Sequence, residues 1–173
     1  MSYGQKLINR NYGSIFHLPG SKHTDAGDKP LNDPHCHLLT EKTRQRKDHQ
    51  DLLIVMEKGD GSNHGVLKQD GKIHAVVRKG YPINLETSYV HEVYFAKWVY
   101  SQEKLFRELL CEGERMVFEN FSHRHSIKYV MDTIPFMAID LFRDSRRRTL
   151  SDLESRVLGT QIPSPKVLYR GRE

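Results

Sequence analysis

An apolar run that ends in a lysine and a glycine-bounded turn constrains this chain most: Leu52-Leu53-Ile54-Val55-Met56 leads through Glu57 into Lys58-Gly59-Asp60-Gly61-Ser62-Asn63. Apolar residues stopped by Gly-Asp-Gly predict a short central strand ending in a tight turn, where small residues let backbone approach a ligand closely. A lysine amine with an ordinary pKa of about 10 is protonated at neutral pH, so nucleophilic chemistry at Lys58 requires desolvation or nearby positive charge, from Arg78 or a bound metal.

Two strand-like runs follow. Ser62 to Lys68 and Lys72 to Arg78 flank Asp70-Gly71, a pair that favours the positive-φ turns of tight hairpins, and the hairpin returns Arg78 towards the Lys58 turn. Between Tyr89 and Leu110, the positions Val90, Tyr94, Trp98, Leu105 and Leu109 recur at helical spacing, while Glu92, Lys97, Glu103, Lys104 and Glu108 fall largely elsewhere. That pattern predicts one long helix or two shorter ones, with the aromatic stripe in the core. Gly113 to Asn120 reads as a turn entering a strand, and Pro135 to Phe142 as an apolar strand interrupted by Asp140. An acid inside a buried strand needs a partner or a use. Arg143, Arg146, Arg147 and Arg148 form a basic loop after it; Ser151-Asp152-Leu153-Glu154 has the form of a capping box opening a helix to about Leu158, and Lys166 to Arg170 is a last strand candidate.

Upstream of Lys58, residues 1 to about 50 are rich in Gly, Pro, His and Asp and predict mostly loop with short strands. Lys42, Arg44, Arg46 and Lys47 form a basic cluster that reads as a solvated face. His35-Cys36-His37 cannot easily turn successive side chains onto one ion, and no second cluster at finger-like spacing follows, so zinc is not expected there. Cys36 and Cys111 make no disulfide framework. With 173 residues, the chain suits one domain with a proper core. Mean hydropathy of -0.66 and 28% charged residues describe a polar globule. No apolar run approaches the roughly 20 residues that span a bilayer, and the N-terminus lacks the apolar segment of a secretion signal, so a cytoplasmic location with no membrane partner is expected. A net charge of +5 suits a polyanionic partner.

In this order and spacing, the segments resemble the RNA ligases of the RNA-ligase-2 type, within the covalent nucleotidyltransferase superfamily of DNA ligases, RNA ligases and capping enzymes. The resemblance runs over nearly the whole chain. Tyr12 to Ile15 and His17 to Ser21 match the family's preface, Glu57 to Asn63 its motif I, Arg78-Lys79-Gly80 motif Ia, Phe118-Glu119 motif III and Phe136 to Leu141 motif IIIa. It implies an α+β fold in which antiparallel sheets form a nucleotide cleft with flanking helices, the ATP-grasp-like nucleotidyltransferase domain of ligases.

The resemblance also implies roles. Lys58 would attack the α-phosphate of ATP and form lysyl-AMP; Glu57 would help seat the adenine; Asp60 and Gly61 belong to the same nucleotide-binding turn; Asn63 would act near the phosphates or the nick; Arg78 with Glu119 would hold the ribose. Ile139 stands where the family places an aromatic ring against adenine, and Glu119 and Asp140 are candidate ligands for Mg2+ or Mn2+. The implied activity is ATP-dependent sealing of an RNA 5′-phosphate to a 3′-hydroxyl, on RNA ends or a nicked RNA duplex, as in RNA repair. A non-catalytic nucleotide- or RNA-binding remnant is the alternative, and a small metal-binding protein using the histidines is a third reading. The family's acid-Gly-x-Val and Lys-x-Lys strands, motifs IV and V, are missing: Lys166 is the only lysine after Lys128, and Glu112-Gly113 lies upstream of motif III. The expectation is therefore a single domain over residues 1–173, truncated before motifs IV and V.

Overall fold

The computed structural model describes residues 5–9, 11–13, 17, 53–86, 88–125, 127–130 and 134–171. The His35-Cys36-His37 cluster, the basic cluster at residues 42–47 and most of the preface lie outside them. The chain divides into two compact units, Met1–Tyr12 with Lys58–Pro165, and Gly13–Glu57 with Lys166–Glu173.

In the second unit, strand β1 (Leu53–Met56) runs antiparallel to β7 (Val167–Gly171) as a two-stranded sheet, continued by the Glu57 N–H donating to the Lys166 carbonyl at 3.0 Å. The final strand is where the sequence places it. The central strand is not: among the described residues β1 pairs only with β7, and Val55 is 42% exposed. An apolar run carries its own strand propensity but no information about its partner, which here comes from the far end of the chain.

The first unit holds a five-stranded sheet in the order β3-β2-β4-β5-β6, built from β2 (Ser62–Gln69), β3 (Lys72–Val77), β4 (Glu114–Asn120), β5 (Phe136–Arg143) and β6 (Arg146–Arg147). Every pairing in it is antiparallel. The β2–β3 hairpin turns at Asp70 and Gly71 with φ of 51° and 67°, the left-handed conformations that Asp-Gly supplies. The Glu112 carboxylate accepts from both turn N–H groups.

Helices α1 (Val90–Ser101) and α2 (Glu103–Leu109) separate at Gln102, so the helical stretch is two shorter helices. Its core face differs from the predicted stripe. Val90 and Tyr94 are 87% and 50% exposed, while Phe95, Ala96, Val99 and Phe106 are buried, and so is Glu92. Two interleaved sets of apolar residues lie at helical spacing in this segment, and packing selects the one centred on Phe95. That ring meets Phe118 at 5.6 Å and Phe136 at 5.2 Å, between centroids, from the core face of the sheet. Trp98 packs half-buried beside it, 4.8 Å from Phe136.

Helix α3 (Leu150–Val157) has a capping box, but one set by Thr149 and Asp152 rather than Ser151 and Glu154. The Asp152 N–H donates to Thr149 Oγ1 at 3.1 Å, and the Thr149 N–H donates to Asp152 Oδ2 at 3.0 Å. Both residue sets fit the box pattern. Starting the helix at Leu150 turns Leu153 and Val157 into the core, which decides between them.

A β-bulge in β5 fixes which side chains face away from the helices. Phe118 pairs with Ala138 and Val117 with Asp140, so Ile139 and Asp140 together oppose one residue of β4. Phe136, Ala138 and Leu141 consequently enter the core, and Met137, Asp140 and Phe142 share the opposite face with Asn63, Val117 and Glu119.

Candidate functional site

The loop from Lys58 to Gly61 enters β2 over that open face, and hydrogen bonds fix its path. Its Asp60 N–H donates to Tyr129 Oη at 3.0 Å and its Gly61 N–H to Glu119 Oε1 at 2.8 Å. At the start of β2, Ser62 Oγ and His125 Nε2 are 2.9 Å apart. Small residues are required by contact: a Cβ on Gly59 would lie 2.5 Å from the Phe121 ring, and one on Gly61 2.5 Å from the Asn120 carbonyl oxygen. Asn63 pairs directly with Glu119 across β2 and β4, so both side chains point to the same face.

Electrostatics mark Glu119 as the polar centre of this arrangement. Burial pushes its carboxyl above the usual carboxylate range, while the Gly61 hydrogen bond and the positive charge of Lys58 pull it down; Asp60 pushes it up and His125 pulls it down. Lys58 itself is exposed. Beside Glu119, the Nδ2 group of Asn63 is buried and has no hydrogen-bond partner among the described residues. An amide N–H2 left in that condition is a donor awaiting an acceptor.

Asp140 obtains its partners from two directions. Arg147 reaches it with Nε at 2.9 Å from Oδ1 and Nη2 at 2.7 Å from Oδ2, and Tyr12 Oη donates to Oδ2 at 3.1 Å. Both carboxylate oxygens are thus engaged by protein groups. Burial, then the Asp140 charge, raises the Tyr12 hydroxyl far above its ordinary range. Tyr12 also receives Arg78, whose Nε donates to the Tyr12 carbonyl at 3.1 Å while the Tyr12 N–H donates to the Arg78 carbonyl at 3.2 Å.

Of the residues singled out in the sequence, Lys58, Asp60, Gly61, Asn63 and Glu119 come together on one loop and one sheet face. Arg78 joins the segment at Tyr12, Ile139 is half-buried at the bulge, and Glu57 is exposed and belongs to the second unit. Sequence reasoning missed Phe121, His125 and Tyr129, which lie in a connection without periodicity, and Arg147, which was only one of several arginines. Tyr12 carried a signal as part of the Tyr-Gly-Ser-Ile preface, but no role.

Solved structures of an archaeal ATP-dependent RNA ligase are similar to this chain. One, form 1, aligns with a TM-score of 0.54 and 15% identity over 75% of this chain and 35% of the ligase. The other gives a TM-score of 0.53 and 15% identity, over 71% of this chain and 32% of the ligase. The chain thus spans about a third of the length of those ligases, and over the aligned part it shares their fold, here antiparallel sheets with flanking helices. No protein-family model and no curated protein sequence matches the chain.

Proposed function

We propose that this chain supplies the nucleotide cleft of an ATP-dependent RNA ligase, with Lys58 as its nucleophile. The observation that supports this most directly is the convergence of the Lys58–Asn63 loop on Glu119, over one sheet face, in a fold shared with archaeal ATP-dependent RNA ligases. A deprotonated Lys58 Nζ attacks the α-phosphorus of ATP. A P–N bond forms, the P–O bond to the β-phosphate breaks and pyrophosphate leaves, while the amine proton passes to solvent. The AMP then moves to an RNA 5′-phosphate, freeing Lys58, and a 3′-hydroxyl displaces AMP to seal the strand.

Transfer of this kind depends on positioning and charge neutralisation, which the residues present fit. In this reading Asn63 Nδ2, the unpaired donor, meets a phosphate oxygen. Glu119 keeps Oε1 on Gly61 and offers Oε2 to a ribose hydroxyl. Arg78 reinforces the ribose side, and Ile139 packs on the adenine without a π-face. Asp60 holds the turn through Tyr129. A bound Mg2+ or Mn2+ would neutralise phosphate charge, with Glu119 the available carboxylate, since Asp140 is taken by Arg147 and Tyr12. Its partners are RNA ends or a nicked RNA duplex, and its setting is cytoplasmic RNA repair. No helix among the described residues is long and apolar enough to cross a membrane.

Incubation with α-labelled ATP and Mg2+ or Mn2+, followed by mapping of the adduct, tests this. The label should sit on Lys58, disappear in Lys58→Ala, and stay absent in Lys58→Arg, because a guanidinium stays protonated. Label on Lys68 or Lys72, or label persisting in Lys58→Ala, would overturn the assignment. ATP binding without any adduct would favour a non-catalytic nucleotide-binding role. Passage of labelled AMP to 5′-phosphorylated RNA in preference to DNA checks the acceptor.

A further inference from the structure

We propose that the chain holds a transition-metal site on the helix side of the sheet, formed by His64 of β2 with His91 and Glu92 in the first turn of α1, and that the site takes a divalent ion of the zinc class. One ligand atom from each of these three side chains lies within 4.8 Å of the others. Modest side-chain rotation closes them around an ion with bonds of about 2.0–2.2 Å. The site stands apart from the ligase reading: His64 follows Asn63 in β2, and successive strand side chains point to opposite faces of the sheet.

Two independent observations point to a bound cation. Glu92 is only 9% exposed, and its Oε2 is buried with no hydrogen-bond partner among the described residues. A buried carboxylate oxygen is retained when paired or when it coordinates a metal. His64, 2% exposed, has Nδ1 at 3.1 Å from the Ser62 carbonyl oxygen. A carbonyl only accepts, so Nδ1 carries the proton and Nε2 presents a lone pair, the arrangement that orients metal-binding histidines. His91 is steadied as well: its ring stacks with those of Tyr89 and His123, and its carbonyl accepts from Asn120 Nδ2 at 3.0 Å. Packing of His64 against Phe95 accounts for His64 as a core ring, but leaves Glu92 Oε2 without a hydrogen-bond partner among the described residues.

Two imidazoles and one carboxylate suit zinc rather than magnesium, which prefers oxygen donors throughout. Three protein ligands leave one position for water beside the half-buried His91. The ion would pin α1 to β2 directly behind Asn63, so its role is to hold the sheet rather than to act on substrate.

The test uses the full chain, stripped with EDTA and titrated with Zn2+ alone, then with Co2+ as a spectroscopic probe. The expected result is binding of about one ion per chain, a rise in Tm, and the visible bands of low-coordinate Co2+. Glu92→Gln and His91→Ala should each weaken Zn2+ binding by more than the about 10–100-fold that follows loss of an outer-shell partner, and should abolish the Tm rise. Cys36→Ser should change neither. Circular dichroism establishes that the variants are folded, and Glu92→Gln keeps the side-chain shape where His64 substitutions would disturb the core. Zn2+ affinity and Tm rise unchanged in folded Glu92→Gln and His91→Ala, no binding by the wild-type chain, or loss of binding only in Cys36→Ser would overturn the site.

Discussion

The Gly61 N–H and the Glu119 carboxylate are joined by a 2.8 Å hydrogen bond that ties the loop after Lys58 to the middle of the sheet. Burial holds the Glu119 carboxyl above its usual range, and this hydrogen bond and the nearby Lys58 charge work against that rise. The bond needs a residue with no side chain at 61, because the Asn120 carbonyl stands where a Cβ would go.

Gly61→Ala should therefore displace the loop, since backbone cannot yield as a flexible side chain can. Strain of this kind costs about 1–3 kcal/mol. Urea unfolding should show the loss of stability and hydrogen exchange should show faster exchange of the backbone N–H at position 61. Wild-type stability and protection in the variant would mean that the loop takes another path.

At Glu119, alanine and glutamine should separate geometry from charge. Glu119→Ala leaves the Gly61 N–H without its acceptor, a loss of about 1–3 kcal/mol if the group stays buried. Glu119→Gln keeps an oxygen for that N–H and removes the negative charge near Lys58, so stability should largely return while ATP binding, measured by calorimetry, remains weakened. Equal ATP affinity in wild type and Glu119→Gln would remove Glu119 from the nucleotide site.

The Asp140 carboxylate should be costly to abandon. Arg147→Met leaves a buried acid with only the Tyr12 hydroxyl and the Leu141 N–H among the described residues, and because Arg147 is 63% exposed the expected loss is about 1–3 kcal/mol rather than that of a fully buried pair. Adding Asp140→Asn should recover part of it, giving a double variant less destabilised than the sum of the singles. Strict additivity by denaturation would show that the two residues act separately.

Helix α3 should carry an acid-sensitive cap. Hydrogen bonds from the Thr149 hydroxyl and N–H hold the Asp152 carboxyl below its ordinary value of 3.8. A depressed carboxylate binds fewer protons folded than unfolded, so its contribution is present above the unfolded value and is lost as pH falls through the folded one. Asp152→Asn should flatten that part of the stability profile, and Ser151→Ala should leave it intact. A steeper acid loss in Asp152→Asn than in wild type would contradict the cap.

Local signals in the sequence were enough for the β2–β3 hairpin, the strands around Glu119 and Asp140, and the loop that carries Lys58. Asp70-Gly71 dictates its own turn, alternation dictates a strand, and Gly59 and Gly61 announce close backbone contacts. An acid in an apolar strand announces a partner. Which partner it takes is not local: Arg147 and Tyr12 reach Asp140 from positions that only the folded sheet brings near, and the bulge at Ile139 decides which face Asp140 occupies. The same limit explains β1, whose apolar run fits a central strand yet pairs with β7, and α1, where two helical stripes compete and contact with Phe118 and Phe136 selects Phe95. Chain-local physics fixes which residues form an element and which need company. Pairing, face and company depend on residues distant in the chain, and those contacts exist only once the tertiary structure has formed.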